Sequence, residues 1–291
     1  MKTLTKSLVI LTLLIPFGCM SPKDGGNAEN KALNDSLLNV QDIEYLIPSP
    51  SEVISVIRDQ GLVYNSKIVS PIQPAKEYTL YRSQALNFGV YLSDLSYFMI
   101  FEDQSNAIRY LYHIQELSVI LNIEEYFSDE FFNKLLSNLS NPDTLKAISL
   151  EQSSLFFSKM QSMGNKDLVL LITTGAMVET LYLSLNVMEN KSIDDRITES
   201  VISLAMVYDN FYSYMSTSPF QDSNLNKLFT DLQEVRDIFT SMYIKQVSTS
   251  IRKENDVVLT SEVNHQINDF LVEKLKISVN RIRENIINQR Y

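Results

Sequence analysis

The chain has 291 residues, 45% hydrophobic and 21% charged, with a formal net charge of −10. That length can bury the core of one large domain or two small ones, and the acidic balance repels phosphate backbones, which excludes nucleic acid as an expected partner. Cys19 is the single cysteine, so the chain beyond it offers no disulfide, no thiolate nucleophile and no cysteine metal site.

The N-terminus carries Lys2 and Lys6, then the apolar run "SLVILTLLIP", then "FGCM". The run is too short to span a membrane and fits a secretory signal. Residues 15–19 resemble the lipobox of bacterial lipoproteins, where the signal peptide is cut before a cysteine whose thiol is lipidated. Gly18 before Cys19 fits that pattern; Pro16 stands where Leu is usual, and Phe17 where a small residue is usual. The plainer alternative is an ordinary signal peptide with an incidental cysteine. Loss of residues 1–18 removes Lys2 and Lys6 and takes the net charge from −10 to −12. The polar stretch "SPKDGGNAENKALNDS" then reads as a tether without apolar period. The expected organisation is a signal peptide over 1–18, a lipidated Cys19 with tether over 19–40, and one helical domain over 41–291.

From there the pattern is helical almost to the end. "IPSPSEVISVIRDQG" offers Ser49 as N-cap, Pro50 at the first helical position, Glu52 three residues after the cap and Gly61 as the stop. A loop with Pro71 and Pro74 follows over 62–76. Helices are then expected over 78–102, 105–121, 128–139, 141–163, 166–189 and 194–216. Leu225, Leu228, Leu232, Val235, Phe239 and Met242 mark a further stripe. Val263, Ile267, Phe270, Leu271, Leu275, Val279, Ile282 and Ile286 mark the last. "KENDVVLT" (253–260) is the one place where a short strand competes. Long amphipathic helices joined by short loops predict an all-α, antiparallel multi-helix bundle of about eight to nine helices.

Two of these helices look alike. "GVYLSDLSYFMIFE" begins at Gly89 and "GAMVETLYLSLNVME" at Gly175. Each apolar run holds one carboxylate, Asp94 five residues after its glycine and Glu179 four after its own. Glycine inside a helix costs about 1 kcal/mol relative to Ala, and the usual return is close approach of another helix. Both helices are therefore expected at the centre, with Gly89 and Gly175 as contact points. A buried carboxylate must be paired, hydrogen-bonded or protonated; Tyr91, Tyr97, Tyr182 and Arg109 are the nearby candidate donors. The functional alternative is a ligand site around Asp94 and Glu179. A membrane span over 168–188 fits by length, but its Thr, Ser and Asn content and its amphipathic neighbours favour a buried helix.

Other motifs are sparse. There is no glycine-rich phosphate loop and no GxSxG. His113 and His265 are the only histidines; "EVNH" and "HIQE" supply single Glu–His pairs (Glu262 with His265, His113 with Glu116), where a di-iron bundle needs two such pairs and further carboxylates. Both histidines are expected at the surface or rim, and no metal or cofactor is expected. Asp129, Glu130, Asp194 and Asp195 suit first helical turns. "YDNFYSYM" (208–215) fits core at helical spacing, with glycan or peptide stacking as the alternative.

Three stretches together, "YLIPSPSEVISVIRDQGLVYN" (45–65), "ALNFGVYLSDLSY" (85–97) and "TTGAMVETLYLS" (173–184), resemble an uncharacterised family of helical lipoproteins from Bacteroidota. The resemblance covers most of residues 45–190. It makes Gly89, Tyr91, Asp94, Tyr97, Gly175, Glu179 and Tyr182 pattern positions, with Met177 where the family often has Trp. It implies an all-α lipoprotein of the outer membrane, periplasm-facing or surface-exposed, and implies no activity. The expectation is a lipid-anchored, non-enzymatic envelope protein that binds a small ligand, peptide or partner protein. A carboxylate hydrolase, such as a glycoside hydrolase using Asp94 and Glu179, and a purely structural envelope component are the alternatives.

Overall fold

A computed structural model describes residues 49–59, 63–188, 193–217, 222–252 and 256–291, giving the backbone alone for 56, 57, 59, 142, 146, 161, 217 and the described part of 243–265. The signal peptide, Cys19, the tether and Gly61 lie outside these residues. Nine α-helices are found among the described residues: α1 (Pro50–Asp59), α2 (Tyr81–Ile100), α3 (Gln104–Ile120), α4 (Asp129–Leu136), α5 (Pro142–Ser162), α6 (Lys166–Val187), α7 (Asp195–Thr217), α8 (Asn226–Ser241) and α9 (Asp269–Ile287). They pack against one another as an all-α multi-helix bundle.

Local chemistry sets the helix starts. Ser49 and Glu52 form a reciprocal capping box at α1: the Ser49 amide donates to Glu52 Oε2 at 2.8 Å, and the Glu52 amide donates to Ser49 Oγ at 3.4 Å. Asp103 caps α3 by accepting from the Asn106 amide, Ser128 caps α4 by accepting from Phe131, and Asp194 caps α7 by accepting from Ile197. Asp129 and Glu130 lie in the first turn of α4. In α7, Tyr208, Phe211, Tyr212 and Met215 are buried, and the Tyr208 hydroxyl donates to the Leu232 carbonyl of α8 at 2.7 Å. The aromatic stretch 208–215 is thus largely core.

A two-stranded antiparallel hairpin separates α8 from α9: β1 (Tyr243–Arg252) pairs with β2 (Asp256–His265), Val247 opposite Ser261. This moves the start of the last helix. Val263, counted in its apolar stripe, belongs to β2, and α9 begins only after Asn268, whose side chain accepts from the Leu271 amide at 3.0 Å. The β-branched run Val257, Val258, Thr260 and Val263 favours the extended chain, and a good N-cap at Asn268 fixes the restart.

The centre of the bundle is the crossing of α2 and α6. A Cβ built on Gly89 would lie 2.0 Å from the Ile172 carbonyl oxygen, and one on Gly175 would lie 1.9 Å from the Leu86 carbonyl oxygen. The contact is reciprocal: each glycine receives the carbonyl three residues before the other glycine. Further along, Ser93 Oγ donates to the Ala176 carbonyl at 2.8 Å and lies 3.1 Å from Thr180 Oγ1. Partner numbers rise together, so α2 and α6 run parallel. Antiparallel packing is the expectation for consecutive helices; these two are separated in sequence by α3, α4 and α5, which return the chain to the same end.

α6 is the one helix among the described residues long and apolar enough to cross a membrane, yet 94% of its apolar window is buried inside the protein. It is apolar all round because α2, α9, α1, α5 and α7 surround it.

Gly175→Ala tests the crossing. In an open helix the change would add stability; here the new methyl meets backbone, and the two helices must separate. The expected result is a loss of about 1–3 kcal/mol in urea unfolding, and unchanged or raised stability would show that the helices do not touch at this point.

Candidate functional site

α2 presents three faces. Leu86, Gly89 and Ser93 meet α6. Tyr91, Asp94 and Tyr97 face the irregular segment 63–80. Leu92, Leu95, Ser96 and Met99 line a pocket on another side. The two latter faces are the candidate sites.

On the first, Asp94 and Glu179 are both 0% exposed. Parallel packing of α2 and α6 sets their side chains against each other, and the cation that balances them comes from α9. Arg283 Nε donates to Glu179 Oε2 at 2.6 Å and Nη2 to Oε1 at 2.9 Å, a bidentate pair. Its guanidinium carbon lies 3.8 Å from the centre of the half-buried Tyr182 ring, a cation–π contact in a desolvated setting. Burial works against the charge on Arg283, but Glu179 and then Asp94 outweigh it and raise its pKa.

One cation cannot neutralise two carboxylates. Burial, then the charge of Glu179, push the Asp94 pKa well above the carboxylate range, with Arg283 pulling the other way. Asp94 Oδ2 accepts from the Ser70 amide at 3.1 Å, while Oδ1 has no partner as an acceptor. A neutral Asp94 resolves this, because a protonated carboxyl becomes a donor and its side chain is paired with that of Glu179.

The tyrosines extend the arrangement. Tyr97 Oη accepts from the Asn65 amide at 2.8 Å, Tyr91 Oη accepts from the Gln73 amide at 3.2 Å and donates to the Pro71 carbonyl at 3.1 Å, and Tyr110 of α3 donates to the Ser70 carbonyl. Arg283 Nη2 donates to the Ile68 carbonyl at 3.2 Å. Every one of these groups therefore holds backbone of residues 65–73. A segment without helix or strand has backbone groups that must find partners when buried, and this polar core supplies them.

Sequence reasoning missed two of the partners. Arg283, not Arg109, pairs with Glu179; Arg109 is exposed and donates to Asn106. His113 is buried, not at the rim: its ring stands edge-on to Tyr91 with centroids 4.6 Å apart, and burial lowers its pKa. The side chain of His265 lies outside the described set.

The second site is a cavity of about 150 Å³ between α1, α2, α4, α5 and α6. Phe127, Phe131, Phe132, Phe156 and Phe157 give it aromatic walls, with Leu95, Met99 and Met177 among the aliphatic ones. Half-buried Ser49, Glu52, Ser149 and Phe157 form the rim. On the α6 wall, Thr173 is 6% exposed and its Oγ1 has no hydrogen-bond partner. Neither Asp94 nor Glu179 lines this cavity. Comparison of the chain with protein-family models, with curated proteins and with solved structures gave no match.

The proton on Asp94 makes a pH prediction. Its folded pKa lies above the unfolded value of about 3.9, so the native chain keeps a proton that the unfolded chain releases. Stability contributed by that proton is complete below the unfolded value and falls as pH rises toward the raised folded value. Asp94→Asn places an amide where the acid donates, so it is expected to alter stability by less than about 1 kcal/mol at pH 4 and to flatten the decline above it. Urea titrations at several pH values read this; an unchanged slope would contradict it. Arg283→Met leaves Glu179 buried without its cation and is expected to lose about 3–5 kcal/mol.

Proposed function

We propose that this chain is a lipid-anchored, non-enzymatic binding protein of the cell envelope. Cys19 would carry the lipid, and the helical bundle would hold a small ligand in the phenylalanine-walled cavity. The observation that supports this reading best is the cavity: a mostly apolar space with a few polar groups is the common form of a small-molecule site. Interiors are otherwise close-packed, so a cavity of about 150 Å³ is not expected of a purely structural component.

The hydrolase reading fares worse on geometry. It needs two carboxylates flanking an accessible bond with room for substrate or water. Asp94 and Glu179 are 0% exposed, and both oxygens of Glu179 are engaged by Arg283.

Two experiments test the proposal. The full chain, labelled at its methionine methyl groups and held in lipid nanodiscs, is titrated with toluene by NMR. Met99 and Met177 line the cavity, so their signals are expected to shift saturably, and Met177→Trp, which fills the space, is expected to abolish the response while the other methionine signals persist. Absence of a saturable shift would end the ligand reading. For the anchor, Cys19→Ala is expected to release the protein from membranes; palmitate incorporation into that variant would contradict it.

A further inference from the structure

We infer that the cavity selects small aromatic or branched aliphatic molecules that carry a neutral or cationic hydrogen-bonding head, an alcohol or an amine, and rejects anions. This rests on the cavity being a ligand site. Its size sets the body of the ligand: a cavity of about this volume, lined by Leu, Ile and Phe, accepts benzene.

The head follows from charge and from one hydroxyl. Among the described residues lining the cavity, Glu52 is the only one with a formal charge, and no Lys, Arg or His joins it. An anion brought there would lose its hydration without a counter-charge and would face the Glu52 carboxylate. At the N-terminus of α1 the Ser49 and Glu52 amides are already engaged by the capping box, and Pro50 has no amide to offer an anion.

Thr173 is the second, independent feature. Thr174, beside it, donates back to the Leu170 carbonyl at 2.7 Å, as helical threonines commonly do. Thr173 makes no such bond, and among the described residues its hydroxyl is the one buried polar side-chain atom without a partner that belongs to a residue lining the cavity. A buried hydroxyl left unpaired is costly; it can donate to or accept from a ligand head.

The test uses four molecules with one body, toluene, benzyl alcohol, benzylamine and benzoate, in the methionine-methyl NMR titration of the full chain. Benzylamine is expected to bind at least tenfold more tightly than benzoate, and Glu52→Gln to reduce that ratio about tenfold. Thr173→Val, which keeps the shape and removes the unpaired hydroxyl, is expected to weaken benzyl alcohol about tenfold and leave toluene unchanged, with Thr173→Ser restoring the alcohol. If toluene binds but benzoate matches benzylamine, or if Thr173→Val weakens toluene and benzyl alcohol alike, the assignment of the head is overturned while the cavity remains a ligand site. If none of the four binds, the ligand reading itself falls and this assignment with it.

Discussion

The contact of two helix backbones at Gly89 and Gly175 is the constraint from which the rest of the interior follows. With carbonyl oxygens seated where side chains would otherwise stand, α2 and α6 run parallel and almost touching. Their equivalent positions then come side by side, and that brings Asp94 against Glu179 in a place with no water. Two like charges cannot persist there. The bundle answers with a guanidinium from α9 on Glu179 and a pKa of Asp94 held well above the carboxylate range, so the last helix is tied to α6 through an electrostatic requirement as well as through packing.

That requirement serves the irregular segment between α1 and α2. Its backbone at Asn65, Ile68, Ser70, Pro71 and Gln73 is held by Tyr97, Arg283, Asp94, Tyr110 and Tyr91. A buried ion pair is weak evidence for net stability, since desolvation offsets most of the Coulomb gain. Its value here is in specifying one path for a chain segment that has no ladder of its own. This accounts for polar residues on helices otherwise apolar all round, without calling on catalysis.

Much of this was legible in the residues. A helical glycine four or five positions before a lone carboxylate, twice, marks a close crossing with a problem of charge, because glycine and buried acids are both unfavourable in a helix unless something compensates. The compensation was not legible. Arg281 and Arg283 lie two residues apart in α9, and the spacing alone does not tell which one turns inward; Arg281 pairs with Glu234 at the half-exposed surface, 2.6 Å away, and Arg283 enters the core. The Ser70 amide carries no sequence signal as a partner. The hairpin is half legible: 253–260 reads as β-prone, whereas the helical stripe ends at Met242 and no pattern assigns Tyr243–Arg252. The parallel sense of the central pair and the cavity beside it are products of how α3, α4 and α5 route the chain, and routing is not written in local periodicity.

The molecule thus separates two roles on one helix. The face of α2 bearing Tyr91, Asp94 and Tyr97 builds the core, and the face bearing Leu92, Leu95, Ser96 and Met99 borders the cavity. The measurement that bears most directly on this separation is the toluene affinity of Asp94→Asn in the full chain, set beside its unfolding curve. The account predicts wild-type affinity together with a changed pH dependence of stability. Loss of toluene binding in a variant that melts like the wild type would contradict it and move the site to the carboxylates.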